Sequence, residues 1–282
     1  ATARLGISLT SDFAAVRSYL NSMQARGATN IGDALSKSLS ELKARGRSNT
    51  AKAIVFLTDG HITTGMNEEQ VLSGPVQEAI DKKIPIYAIG YGDPSYLRED
   101  FLRKMATNTG GKYYYATEAF QLQNTFIRSA LEGGGWRVLG TFGGKIRQGE
   151  TKSVGTFDVQ KYVKRLRIIL NWPGSNLDLK LVNPRGMEID RTAPSVDWSG
   201  DTKPEYAIIT NPDYGTWTAK VYGKDVGSSS TGETSYFVVA ATSGTVEEAS
   251  SWLQIVVLVC IIAGVSVSSL AVVSSRKSRR PY

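Results

Sequence analysis

Apolar residues recur at helical spacing over 12–25 (DFAAVRSYLNSMQA), where Phe13, Val16, Leu20 and Met23 share one stripe. They do so again over 31–46, where Ile31, Leu35, Leu39 and Leu42 line up. That spacing predicts two amphipathic helices, and Gly46 is a natural stop for the second. The pattern then changes. Residues 53–57 (AIVFL) run apolar without a break, as in a strand buried on both faces. Helical spacing returns at 70–82, and a second buried strand is predicted at 84–89 (IPIYAI). A helix at 100–108, a strand at 112–116 (KYYYA) and a helix at 118–132 follow. Strand, helix and strand within about 40 residues make a βαβ unit with parallel strands. The whole alternation predicts an open, mostly parallel, Rossmann-like α/β sheet.

At Gly133, Gly134 and Gly135 the chain passes a hinge-like stretch, and helical periodicity stops. Residues 166–170, 177–182, 206–210, 215–222 and 235–241 alternate or run apolar at strand length. Turn signals such as Asn183-Pro184-Arg185-Gly186 lie between them. Short strands so punctuated predict a β-sandwich. A third pattern is 252–273 (WLQIVVLVCIIAGVSVSSLAVV), free of charge throughout. A bilayer core takes about 20 residues of helix, so one C-terminal transmembrane helix is expected. The expected organisation is an α/β domain at 1–135, a β-sandwich at 136–245, a membrane helix at 252–273 and a basic tail at 274–282.

Charge sharpens this organisation. The 282 residues carry 33 Lys and Arg against 26 Asp and Glu, a net of +7. Four of those seven sit in the tail, as Arg276, Lys277, Arg279 and Arg280. The rest is nearly neutral, which excludes a broad basic face for nucleic acid. Glu247 and Glu248 precede the apolar run and the basic cluster follows it. The positive-inside rule then places the tail in the cytoplasm and residues 1–251 outside the cell membrane. A basic tail after the run argues against a GPI signal. A single Cys excludes an internal disulfide, and a single His excludes a multi-histidine zinc site. Cys260, mid-span, reads as a packing residue. A cleaved signal peptide upstream is expected for a surface protein.

Ligand sites in open α/β sheets lie beyond the carboxyl ends of the strands. Asp59 stands there, directly after 53–57 and before Gly60. A second polar loop, 27–35 (GATNIGDAL), precedes the helix from Ile31. Thr29 in it is either that helix's cap or a ligand, and local chemistry alone favours the cap. Catalytic signatures are missing: the chain holds no GxSxG, GxxxxGK[ST], HExxH or GxGxxG. The chain is therefore read as a non-enzyme.

The two loops together, GATNIGDAL at 27–35 and IVFLTDG at 54–60, closely resemble the von Willebrand factor type A family. LTSDFAAVRSYLNSM before them and IPIYAIGYG after them fit it too. The resemblance covers about residues 5–133. It implies a divalent ion, usually Mg²⁺, held by an Asp-x-Ser-x-Ser segment, a Thr and an Asp. By similarity Thr29 is the threonine and Asp59 the aspartate, with Asn30, Gly60 and His61 on the ligand rim. Mg²⁺ keeps several waters in an octahedral oxygen shell, so a partner's acidic group can enter it. The Asp-x-Ser-x-Ser segment has no counterpart here, so the chain, lacking its central strand, is expected to be a fragment, with Mg²⁺ bound by the complete domain and by this chain only in the millimolar range or not at all. Asp197-Trp198-Ser199-Gly200-Asp201 looks like that segment but reads as a solvated turn. LNWPGSNLDLKLVNPRG and TNPDYGTWTAKVYG resemble pre-peptidase C-terminal and P-type sandwiches, and the β-domain of calcium-activated chloride-channel regulators. The implied function is a membrane-anchored surface protein that binds a protein partner through a metal-dependent adhesion site. The alternatives are an accessory subunit of a channel or transporter, or the non-catalytic half of a surface hydrolase.

Overall fold

The computed structural model describes residues 2–24, 28–48, 50–174, 176–200, 202–226, 232–243 and 260–262. The chain divides into two units, Ala1–Gly134 with Trp252–Tyr282, and Gly135–Ser251.

In the first unit, α1 (Phe13–Ser22) starts at Asp12, whose carboxylate accepts the Ala15 N–H at 3.0 Å. Helix α2 (Ile31–Arg45) buries Ile31, Leu35, Leu39 and Leu42, the stripe its spacing predicts. Asp33 in its first turn and Lys43 and Arg45 in its last suit the helix dipole. Strand β1 (Ile54–Thr58) follows. A helical run then comprises α3 (Glu68–Val71), a π-turn at Leu72–Val76 and α4 (Gln77–Asp81). It begins earlier than predicted because Asn67 and Gln70 form a reciprocal cap. It widens at Pro75, which has no N–H to give the preceding turn. Strand β2 (Ile86–Tyr91), α5 (Glu99–Asn108), β3 (Tyr113–Ala116) and α6 (Ala119–Gly133) complete the unit. Strands β1, β2 and β3 pair in parallel and in that order. Ile54 and Phe56 pack with α2 and α5 in one core cluster, while Val55 and Leu57 pack with Leu122 and Phe126 of α6 in another. Helices on both sides explain why β1 reads as a continuous apolar run.

Of the predicted membrane helix at 252–273, only Cys260–Ile262 is described; the remainder, and the basic tail, lie outside the described residues. Those three residues are not helical. They form a short strand parallel to β1, with Phe56 opposite Cys260 and Thr58 opposite Ile262. The physical reason is the edge of β1, whose backbone N–H and C=O groups need partners that an apolar, branched segment supplies. No helix among the described residues is long and apolar enough to cross a membrane.

The second unit holds β4 (Arg137–Arg147), β5 (Thr151–Val159), β6 (Arg165–Asn171), β7 (Asn176–Val182), β8 (Val196–Trp198), β9 (Glu205–Thr210), β10 (Gly215–Asp225) and β11 (Glu233–Ser243). They form two antiparallel sheets, ordered β4-β11-β6-β9-β8 and β5-β10-β7. Both sheets feed one core, with Leu166, Ile168 and Val238 from the larger, Leu179 and Trp217 from the smaller, and Trp172 beside them. Of the segment read as a solvated turn, 197–201, the first two residues, Asp197 and Trp198, lie in the edge strand β8, paired to β9. It is held there because the Trp198 indole N–H donates to the Glu205 carboxylate at 2.6 Å. The same carboxylate accepts the Leu179 N–H at 2.7 Å, and the Arg191 guanidinium donates to the Leu179 carbonyl at 2.5 Å. Two side chains thus do for β7 what a further strand would.

Candidate functional site

The two polar loops meet beyond the carboxyl end of β1. The Thr29 carbonyl accepts the N–H groups of Thr63 and Thr64 at 3.0 and 3.2 Å. The Thr29 N–H donates to the Thr63 hydroxyl at 2.7 Å. These bonds tie the loop before α2 to the loop that carries Asp59, across more than thirty residues of chain. Thr29 is 5% exposed. On the other side, the Thr58 hydroxyl donates to the Gly60 carbonyl at 2.9 Å and accepts the Gly60 N–H at 3.3 Å. That clamp fixes the turn on which Asp59 sits. Asp59 is half-buried, and burial holds its carboxyl above the usual carboxylate range, with a backbone hydrogen bond partly opposing the rise.

Asn30 resolves the alternative left open for Thr29. The cap of α2 is Asn30, whose side-chain oxygen accepts the Asp33 N–H at 3.1 Å. The Thr29 hydroxyl is therefore not used as the helix cap. Asn30 also packs on Gly65, which has φ +83°, and a Cβ there would run into the Asn30 side-chain oxygen. Asn30→Ala is expected to cost this unit about 1 kcal/mol, and Asn30→Ser much less. A urea midpoint unchanged in Asn30→Ala would remove the cap from the account.

The remaining rim residues differ in what they can do. Gly60 acts through its backbone, and a side chain there would meet nothing within 4 Å. His61 is exposed on the loop. Thr63 and Gly65, which the sequence reading passed over, set the loop's path. The only signal for them was the polar, glycine-closed run Thr63-Thr64-Gly65.

The donor chemistry suits a hard cation: a hydroxyl and a carboxylate on adjoining loops, the carboxylate desolvated with no cationic side chain among the described residues offsetting it. Its number is small. Among the described residues no group of three or more His, Cys, Asp or Glu is placed to hold a metal. Thr29 and Asp59 would supply two of the roughly six oxygens an octahedral Mg²⁺ requires, leaving the rest to water and to a partner.

Residues 2–128 match the family model of the von Willebrand factor type A domain. Human inter-alpha-trypsin inhibitor heavy chain H3 is 33% identical over 100 residues, which are 34% of this chain and 11% of that protein. Pig inter-alpha-trypsin inhibitor heavy chain H4 is 32% identical over 120 residues, 39% of this chain and 13% of that protein. The chain thus spans only a small part of the length of these curated relatives. A solved structure of von Willebrand factor type A from Catenulispora acidiphila is 15% identical, covering 82% of this chain and 43% of its own, with a TM-score of 0.38. The parallel sheet flanked by helices and the family match agree: residues 2–128 belong to the von Willebrand factor type A domain family.

Proposed function

We propose that this chain is a surface protein whose type A domain grips an acidic group of a protein partner through a divalent cation, Mg²⁺ in the first instance. Thr29 and Asp59 would hold the ion. When bound, it supplies an electrophilic centre with coordination positions open to a carboxylate. The observation that carries the reading is the pair of hydrogen bonds from Thr63 and Thr64 to the Thr29 carbonyl, which joins the threonine loop to the aspartate loop. The chain's own residues do three things there. Asn30 fixes the start of α2, Thr58 fixes the Asp59 turn, and partial burial keeps the carboxylate poorly solvated, so that a cation is a favourable neighbour.

The same proposal places 252–273 as one membrane helix, residues 1–251 outside the cell and the basic tail in the cytoplasm. A bilayer accommodates all 22 uncharged residues. Transfer of the chain from buffer into lipid nanodiscs is therefore expected to add helical circular dichroism. An unchanged spectrum would contradict the anchor.

The adhesion reading is tested with a phage-displayed peptide library selected on the full chain in millimolar Mg²⁺. Enriched peptides are expected to carry Asp or Glu, to elute with EDTA and to lose binding to Asp59→Ala while that variant keeps its unfolding midpoint. Peptides that bind equally well in EDTA and to Asp59→Ala would sink the cation mechanism.

A further inference from the structure

Among the described residues, the second unit exposes three large apolar side chains, Tyr162, Met187 and Tyr214, at 75%, 50% and 63%. All three lie at one end of its strands. Tyr162 is in the turn between β5 and β6, Met187 in the turn after β7, and Tyr214 in the turn between β9 and β10. The turns form one surface. The Asn211 N–H donates to the Lys164 carbonyl at 2.8 Å, the Lys161 ammonium lies 4.9 Å from the centre of the Tyr214 ring, and Arg185 pairs with Asp213 at 2.9 Å.

The chain leaves the unit at this same end. Ser243, the last residue of β11, is opposite Arg165 at the start of β6, and Arg165 is opposite Thr210 at the end of β9. The nine steps from Ser243 to 252 then reach at most about 32 Å, whatever path they take. The opposite end of the strands is farther by the length of β11, about 37 Å at 3.4 Å per residue. An anchor at 252–273 therefore lies within reach of the Tyr162, Met187 and Tyr214 end.

We infer that this end of the second unit seats on the headgroup layer of the bilayer that holds the chain's own anchor. The inference rests on the membrane-anchor reading above. Tyrosine suits the site because its ring is apolar and its hydroxyl is wet, the combination favoured at membrane interfaces. Lys161 and Lys164 add attraction to anionic headgroups, while Arg185 is already tied to Asp213.

The test uses the full chain in nanodiscs of phosphatidylcholine and phosphatidylglycerol, washed with carbonate, then footprinted with hydroxyl radicals. Each rate is normalised to that of the same residue in the urea-unfolded chain. Tyr162, Met187 and Tyr214 are expected to be oxidised several-fold more slowly than Tyr96 and Met66, exposed residues of the first unit. In the double variant Tyr162→Asp with Tyr214→Asp, Met187 should rise to the rate of Met66. If the chain washes off the nanodiscs, the anchor reading fails and this inference with it. If it stays in but the three residues oxidise like Tyr96 and Met66, the inference alone is overturned. Protection of Met187 that survives in the double variant overturns it as well.

Discussion

Glu205→Ala is expected to cost the two-sheet unit about 3–5 kcal/mol, close to the whole stability of a small domain. Glu205 is 1% exposed, and its carboxylate receives the Leu179 N–H, the Trp198 indole N–H and the Arg191 guanidinium at 3.5 Å. Alanine leaves the buried Leu179 N–H and the part-buried Trp198 indole N–H unpaired, the buried one costing about 1–3 kcal/mol. It also removes the counter-charge of Arg191, which still stacks on Trp198 at 4.5 Å. Strand β8 and the outer edge of β7 should loosen first, because Glu205 serves both. Burial outweighs these donors and lifts the carboxyl from 4.5 to about 7. The folded state therefore holds the proton more tightly than the unfolded chain. The associated stability is complete below about pH 4.5 and is lost as pH rises through about 7, up to about 3 kcal/mol. Urea unfolding followed by tryptophan fluorescence from acid to neutral pH should show that decline. Glu205→Gln cannot ionise, so it should start lower and lose the slope. A Gln variant with the wild-type slope would show that another group titrates.

Phe56→Ala is expected to unfold the type A unit while leaving the second unit standing. The ring is fully buried between α2 and α5, and a buried Phe→Ala change costs about 3–5 kcal/mol. Calorimetry of the wild type should show two transitions, of which Phe56→Ala removes or strongly lowers one. The contrast with Asp59→Ala separates fold from chemistry. Both should abolish peptide capture, but only Phe56→Ala should do so by melting the sheet. A single unshifted transition in Phe56→Ala would mean that the β1 core contributes little.

The elements legible in the sequence are those buried on a regular face. Helix α2 and strands β1 and β2 carry apolar residues at 3.6-residue spacing or in unbroken runs because helices cover both sides of the sheet. Strands β4 and β5 were missed because they are largely exposed, and β4 is rich in glycine as well. At Gly155 a Cβ would collide with the Phe142 ring, so the apolar cover there comes from a neighbouring strand and leaves no local pattern. Strand β8 was missed because its stabilising partner, Glu205, looks in sequence like an ordinary surface acid. At the site, Asp59 was legible from its place after a buried strand, and Thr29 only by family resemblance. Whether Thr29 or Asn30 caps α2 depends on which residue starts the helix, here Ile31 directly after Asn30, and adjacent polar residues do not reveal that. Thr63 was invisible because its hydrogen bond reaches 34 residues back along the chain. The strand at Cys260–Ile262 was not foreseen because an apolar run that suits a bilayer also suits an open sheet edge.

The most direct test of the central claim, that Thr29 and Asp59 form one cation-binding pair, is a Mg²⁺ titration of the full chain followed by backbone NMR. Two loop ligands give up few of the ion's waters and must be ordered on binding, so affinity in the millimolar range is expected. Shifts should be confined to residues 28–30 and 58–65 and vanish in Asp59→Ala. Micromolar affinity, or shifts that leave those two loops untouched, would contradict the account.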